Sequence, residues 1–236
     1  MKLNEAPTPN DEPAREPVSP WHIRWPRLLL FAFVVVVGYF VASQFDKPMY
    51  FFFRQYDSGD ADWHRFLRIM GWAPTWMIAA VILALVDWGR VKVQGFWKAM
   101  WRPVLLLLAI ACSGAVGEVL KLLIRRERPN ANDGMYVWRA WTDETFRTGG
   151  LATPSSHAIV AFAAAFMMCK LVPQVRVVWI LLAVGCAFSR VANHAHWVGD
   201  VYVSAVVAYG VVHLLWRLHL RNNPELPREP GLFDLK

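Results

Sequence analysis

Lys121, Arg128, Ser155, Ser156, His157, Arg190, His196 and Asp200 carry between them every group that attack on a phosphate ester requires. That chemistry needs positive charge around the equatorial oxygens, a nucleophile in line with the leaving group, and an acid for the departing oxygen. Lys121, Arg128 and Arg190 supply the cations, the arginines as bidentate forks and the lysine as a compact charge. Ser155 and Ser156 are expected to open a helix, where free backbone N–H groups and the helix dipole favour an anion. His196 and Asp200 stand four apart, on one face of a predicted helix, so that the carboxylate can hold the imidazole in one tautomer and stabilise its charged form. His196 is therefore the expected nucleophile, becoming transiently phosphorylated, and His157 the general acid. His194 is its rival, but six residues from Asp200 it stands about 600° around a helix axis, and it is assigned either to supporting the site from behind or to packing.

The elements that must position these groups are membrane spans. The chain has 236 residues, 56% of them hydrophobic and gathered into long runs, and about 20 mainly apolar residues cross the hydrocarbon layer as a helix. Six runs qualify by pattern, at residues 27–45, 74–88, 103–124, 155–172, 177–191 and 197–218. The expected fold is an all-α, six-helix integral membrane bundle over residues 27–220, with a disordered Pro-rich tail at 1–26 and a C-terminal tail at 221–236. A cleaved signal peptide is the weaker reading of the first segment, whose polar stretch is long and partly acidic. Lys121 ends the third run, Ser155 to His157 open the fourth, Arg190 closes the fifth and His196 opens the sixth, so topology alone gathers the eight groups at one membrane face.

Basic residues outside the site are more numerous in the termini and in the second and fourth loops than in the other three loops, which places both termini in the cytoplasm and the site on the far side. In a bacterium that is the periplasmic face of the inner membrane. The net charge of +7 forms no continuous stripe, which argues against nucleic acid and for the lipid bilayer and its anionic lipids as partners. Cys112, Cys169 and Cys186 fall in apolar runs and read as packing residues. Trp25, Trp72, Trp76, Trp88, Trp101, Trp197 and Trp216 sit near span ends, where indoles anchor in the headgroup layer. Trp63, Phe66, Leu67 and Met70 recur at helical spacing opposite His64, Arg65 and Arg68, which suggests an interfacial helix. The loop from Arg125 to Pro154 either covers the site or only connects two helices, and Glu118, one turn before Lys121, is expected to be its ion-pair partner.

Each group alone has a bland account: interfacial cations that snorkel, a serine N-cap, a helix-stabilising His–Asp pair. What distinguishes them is that all three pieces fall at one face in one order. K-x6-R-P at Lys121–Pro129, P-S-x-H at Pro154–His157 and S-R-x5-H-x3-D at Ser189–Asp200 resemble the three-part signature of the type 2 phosphatidic acid phosphatase superfamily, over about 80 residues. The resemblance implies a helical membrane phosphatase that uses no metal or other cofactor and works through a phosphohistidine. By position, His196 would be the nucleophile, Asp200 its orienter, His157 the acid, and Lys121, Arg128, Ser155, Ser156 and Arg190 the phosphate cradle. Ser156 stands where the family often has glycine, and Asn193-His194 adds a polar imidazole near the site. Phosphatidic acid, phosphatidylglycerol phosphate, polyprenyl diphosphate and lipid A phosphate all suit such a site. The alternatives are a lipid phosphotransferase using the same phosphohistidine and a non-catalytic lipid-phosphate binding or transport protein; vanadium-dependent halogenation, known from soluble relatives, is disfavoured by the apolar spans.

Overall fold

The structure, a computed structural model, describes residues 25–55 and 62–223. The tails expected at 1–26 and 221–236 lie almost wholly outside these residues. Nine α-helices are present among them: α1 (Trp25–Gln44), α2 (Asp46–Gln55), α3 (Asp62–Ile69), α4 (Ala73–Gln94), α5 (Phe96–Ala99), α6 (Trp101–Ile124), α7 (Ser156–Leu171), α8 (Arg176–Ala192) and α9 (Val198–Asn222). No strand occurs among the described residues, only two isolated bridges in the loop between α6 and α7. Residues up to Val34 and residues from Val35 onward form two units. The first contributes the opening turns of α1, whose Leu29, Leu30 and Phe33 are exposed, as expected of lipid-facing side chains.

Within the second unit α7 is central and packs against α6, α8 and α9, while α4 packs on α6 and α3 on α8. Its sequence explains the position. Ala158, Ala161, Ala163, Ala164 and Ala165 are all buried, and small side chains let helix backbones approach closely where lipid supplies no hydrophobic drive between helices. Gly117 of α6 extends the same device, since a Cβ there would lie 2.7 Å from Ile159 of α7.

Four helical stretches are long and apolar enough to cross a membrane, Leu28–Gln55, Trp101–Ile124, Pro173–Ala192 and Val198–Asn222, and a fifth arises if α3 and α4, bent by 54° at their junction, count as one. These make the chain an integral membrane protein. Helices stand at all six places read from the sequence, but α7 has only 16 residues, fewer than a full crossing needs. Enclosed by its neighbours, it does not have to meet lipid along its length.

Two readings of apolar pattern change. Trp76, Trp197 and Trp216 are buried in the protein rather than set in the headgroup layer, whereas Trp25, Trp72 and Trp88 are exposed as interfacial residues would be. The helix expected between the first two runs is present as α3, but with its faces turned: His64 is buried and meets Asn193 at 3.4 Å, Leu67 packs against Gly185, and Trp63 and Phe66 are exposed. Hydrophobic spacing located the helix; packing against α8 chose which face is inward.

Candidate active site

The C-terminal ends of α6 and α8 and the N-terminal ends of α7 and α9 converge, and the residues between α6 and α7 fold over them. α6 ends as Arg125 takes a left-handed conformation (φ 56°). The buried Arg125 side chain then gathers the loop by donating to the carbonyls of Arg139 (3.1 Å), Ala140 (2.7 Å), Asp143 and Thr145 (3.2 Å). Arg139 ties Glu127 (3.2 Å) and the Gly149 carbonyl (3.0 Å). Arg126 and Arg128 are threaded into place by backbone bonds, Ala152 N–H to the Arg126 carbonyl (2.7 Å) and Arg128 N–H to that of Gly150 (3.1 Å). The loop is thus a folded cap whose arginines satisfy carbonyls that water would otherwise serve.

Lys121 is buried and forms the expected ion pair with Glu118 at 2.7 Å. Its ammonium also donates to the Ser156 hydroxyl, which in turn donates to Glu118 at 3.1 Å. Ser155 caps α7: its hydroxyl accepts the Ala158 N–H at 3.4 Å and keeps its own proton to donate, while its N–H donates to Ser204 at 2.9 Å. The Nε atoms of Arg128 and Arg190 are buried without a protein partner among the described residues. Both guanidinium charges, with that of Lys121, act on His196. The structure therefore brings together Lys121, Arg128, Ser156, Arg190 and His196, and His157 stands one residue beyond Ser156 at the head of α7.

The His196–Asp200 pair is built differently from the helical pair expected. His196 precedes α9 rather than lying on it, and its Nδ1 is 3.9 Å from the Asp200 carboxylate, too far for a hydrogen bond. Instead Nδ1 lies 2.8 Å from the Ala152 carbonyl. A carbonyl only accepts, so Nδ1 carries the proton and Nε2 the lone pair. Asp200 acts one step removed. It accepts from the Trp197 N–H at 2.8 Å, half of a capping box for α9, and from the Thr153 hydroxyl, so it fixes the residue after His196 and the residue after Ala152. Burial, first, and then the charges of Arg190, Arg128 and Lys121 hold the His196 imidazole well below its ordinary value of 6.5, which keeps it neutral.

Arg126 and Asp46 were not singled out from the sequence, yet they complete this frame. Arg126, buried between the rings of Tyr136 (4.6 Å) and Trp197 (5.0 Å), donates to Asp46 at 2.7 Å and to Asp200 at 3.1 Å. Burial opposes its charge, but Asp200 and Asp46 more than offset that and raise it. Asp46 also accepts the Gly199 N–H at 2.8 Å, so α2, the loop and α9 are joined by one network. The only sequence signal was a carboxylate closing the first apolar run. His194, the rival nucleophile, sits in a left-handed conformation (φ 54°) with its ring edge-on to Tyr50 at 5.0 Å, in packing, the second of the two roles expected of it.

The His157 end is approached by the junction of α3 and α4. Gly71 lies so close that a Cβ there would be 2.6 Å from the His157 Cβ, which only glycine permits. On the other side, an apolar cleft of 460 Å³ runs between α2, α8 and α9, lined among others by Phe53, Phe188, Val191 and Val198, the last two adjoining Arg190 and Trp197. No group of three or more potential metal ligands occurs among the described residues.

A crystal structure of a transmembrane PAP2 type phosphatidylglycerolphosphate phosphatase from Bacillus subtilis has a similar fold, with a TM-score of 0.55 at 19% sequence identity over 86% of this chain and 97% of that one. Among curated proteins no match was found. The PAP2 superfamily model matches residues 102–224, more than half of the chain and the whole stretch from Lys121 to Asp200, and the chain belongs to the PAP2 superfamily.

Proposed function

We propose that this protein is a metal-independent membrane phosphatase that releases phosphate from a lipid phosphate or diphosphate through a phosphohistidine on His196. The observation that carries the reading is the 2.8 Å contact between His196 Nδ1 and the Ala152 carbonyl, which leaves the lone pair on Nε2 for attack. In the first step an Nε2–P bond forms while the bond from phosphorus to the leaving oxygen breaks, and His157 gives that oxygen a proton. In the second, water attacks the phosphohistidine, His157 takes its proton, and phosphate leaves. Lys121, Arg128 and Arg190, with Ser155 and Ser156 at the head of α7, neutralise the equatorial oxygens.

The apolar cleft beside Val191 and Val198 supports a lipid substrate, because a hydrocarbon tail lying there would bring its phosphate to the ends of α8 and α9. Topologically, α7 completes six crossings, with cytoplasmic termini and the site at the periplasmic face of a bacterial inner membrane. Thiol labelling of single cysteines introduced after Arg128 is expected from the periplasmic side, and labelling from the cytoplasm would reverse the orientation.

The direct experiment measures inorganic phosphate release in detergent, with chelator present, from phosphatidic acid, phosphatidylglycerol phosphate and a polyprenyl diphosphate. Wild type should release phosphate, and His196→Ala should lose at least about a thousandfold in kcat. Release that persists in the variant would remove His196 as nucleophile.

A further inference from the structure

The donors of the cradle are not all in the same state. The Nε atoms of Arg128 and Arg190 are buried with no protein partner among the described residues. Lys121 and Ser156 are already engaged. The Lys121 ammonium donates to Oε1 of Glu118 at 2.7 Å and to the Ser156 hydroxyl, and that hydroxyl donates its own proton to the same Oε1 at 3.1 Å. One carboxylate oxygen therefore holds both side-chain donors that the end of α6 and the head of α7 would offer to a phosphate. The Thr148 hydroxyl of the cap donates to this carboxylate as well.

An ion pair three residues apart on a helix is ordinarily a small stabilising contact on its surface. This one differs in burial. Only 6% of the Lys121 side chain is exposed, against 46% of that of Glu118. A buried ammonium needs an anion beside it at all times, whereas Glu118 stands at the rim of the site, beside the cap, and can turn toward water at little cost. Its anchors are hydrogen bonds from three groups, two of which a bound phosphate would itself engage.

We infer that Glu118 is a positioning residue that acts through Lys121 and Ser156 as an internal counter-anion: its carboxylate holds these donors while the site is empty and yields them when phosphate binds. The inference rests on the phosphate cradle proposed above and adds a competition to it. An incoming phosphate oxygen takes the place of Oε1 on the ammonium and on the Ser156 hydroxyl, and Glu118 moves toward water. When phosphate departs, the carboxylate returns to a cation that would otherwise be left bare. Phosphate binding is weakened by the contacts exchanged, and release of the product is eased to the same extent. Because Thr148 shares the carboxylate, the exchange also frees one tie between the cap and α6.

The test uses orthophosphate as the probe and two variants: Glu118→Gln, which keeps the shape and loses the charge, and Glu118→Asp, which keeps the charge. Calorimetry on the purified protein in detergent should find orthophosphate bound about tenfold more tightly by Glu118→Gln than by wild type, the size of one hydrogen bond to a charged group. Glu118→Asp should stay near wild type. On phosphatidic acid, KM and the inhibition constant of orthophosphate should fall together in Glu118→Gln while kcat does not rise, since the gain is shared by substrate, transition state and product. Weaker or unchanged orthophosphate binding in Glu118→Gln, the result expected if the pair merely holds Lys121 in place, would overturn the inference. Should that variant fail to fold, Thr148→Val removes one anchor of the carboxylate and should shift the affinity in the same direction by less; no shift there overturns it equally. Binding is read apart from turnover. Tighter orthophosphate binding by Glu118→Gln without hydrolysis of any lipid by wild type keeps the counter-anion and removes the phosphatase reading, and hydrolysis with unchanged orthophosphate affinity does the reverse.

Discussion

The two ends of the helical bundle both bury charge, and they handle it in opposite ways. At the end formed by the C-termini of α4 and α7 and the N-terminus of α6, the buried Asp87 carboxylate meets Arg102 and Arg90, each at 3.2 Å, and Arg102 donates further to the Leu171 carbonyl at 3.1 Å. Each of these groups finds its partner in the protein, and the cluster ties α4, α6 and α7 together. At the other end, Arg126 is likewise closed off by Asp46 and Asp200, but around it Lys121, Arg128 and Arg190 have, among the described residues, only Glu118 as an ion-pair partner. A buried cation kept without a carboxylate is costly. Its retention at one end alone separates charge that holds helices from charge that waits for an anion.

Substitutions at the two closed clusters sharpen that contrast. Arg126→Gln and Asp87→Asn each break a buried ion pair; Arg126→Gln should lower stability in detergent by about 3–5 kcal/mol, and Asp87→Asn by less, because Arg90 remains largely exposed and screened. Their effects on catalysis should diverge. Without Arg126, Asp46 and Asp200 face each other uncompensated, and Asp200 no longer fixes the backbone on either side of the His196–Ala152 bond, so phosphate release per folded molecule falls by about tenfold or more. Asp87→Asn acts on the far ends of α4, α6 and α7 and should leave release per folded molecule intact. Thermal unfolding and phosphate release on the same preparations measure both. Equal catalytic losses would erase the distinction between the two ends.

Much of this arrangement was legible in the sequence, for reasons that differ by element. The positions of the helices followed from apolar runs because the bilayer sets their length, and the gathering of Lys121, Ser156, Arg190 and His196 followed from which end of which helix each occupies. Two kinds of information were absent. The partner of His196 is a backbone carbonyl, that of Ala152, and a carbonyl leaves no trace in residue type; the spacing of four to Asp200 pointed instead to a direct pair that the break before α9 prevents. Arg126 looked like one of several loop cations, and only the fold of residues 125–155 sets it between Asp46 and Asp200. In the same way, helical spacing identified α3, but contact with α8 turned His64 inward.

The smallest expected effect tests the excess of positive charge directly. His196 is neutral because burial and the cations Arg190, Arg128 and Lys121 all disfavour its protonated form. The sign follows: a base whose folded value is lowered keeps its lone pair as pH falls past 6.5, so loss of the free-enzyme nucleophile should come only at more acid pH. Ring nitrogen NMR of the histidine-labelled protein would follow this without interference from the ionisation of the substrate. The His196 signal should remain that of the neutral Nδ1–H tautomer through the range where an exposed histidine titrates. In Arg128→Gln, which removes one of the three cations, the titration should move upward toward the ordinary value, while Arg102→Gln at the distant end should leave it unchanged. An unmoved titration in Arg128→Gln would mean that the Arg128 charge does not reach the nucleophile, and that burial with Arg190 and Lys121 keeps His196 neutral without it.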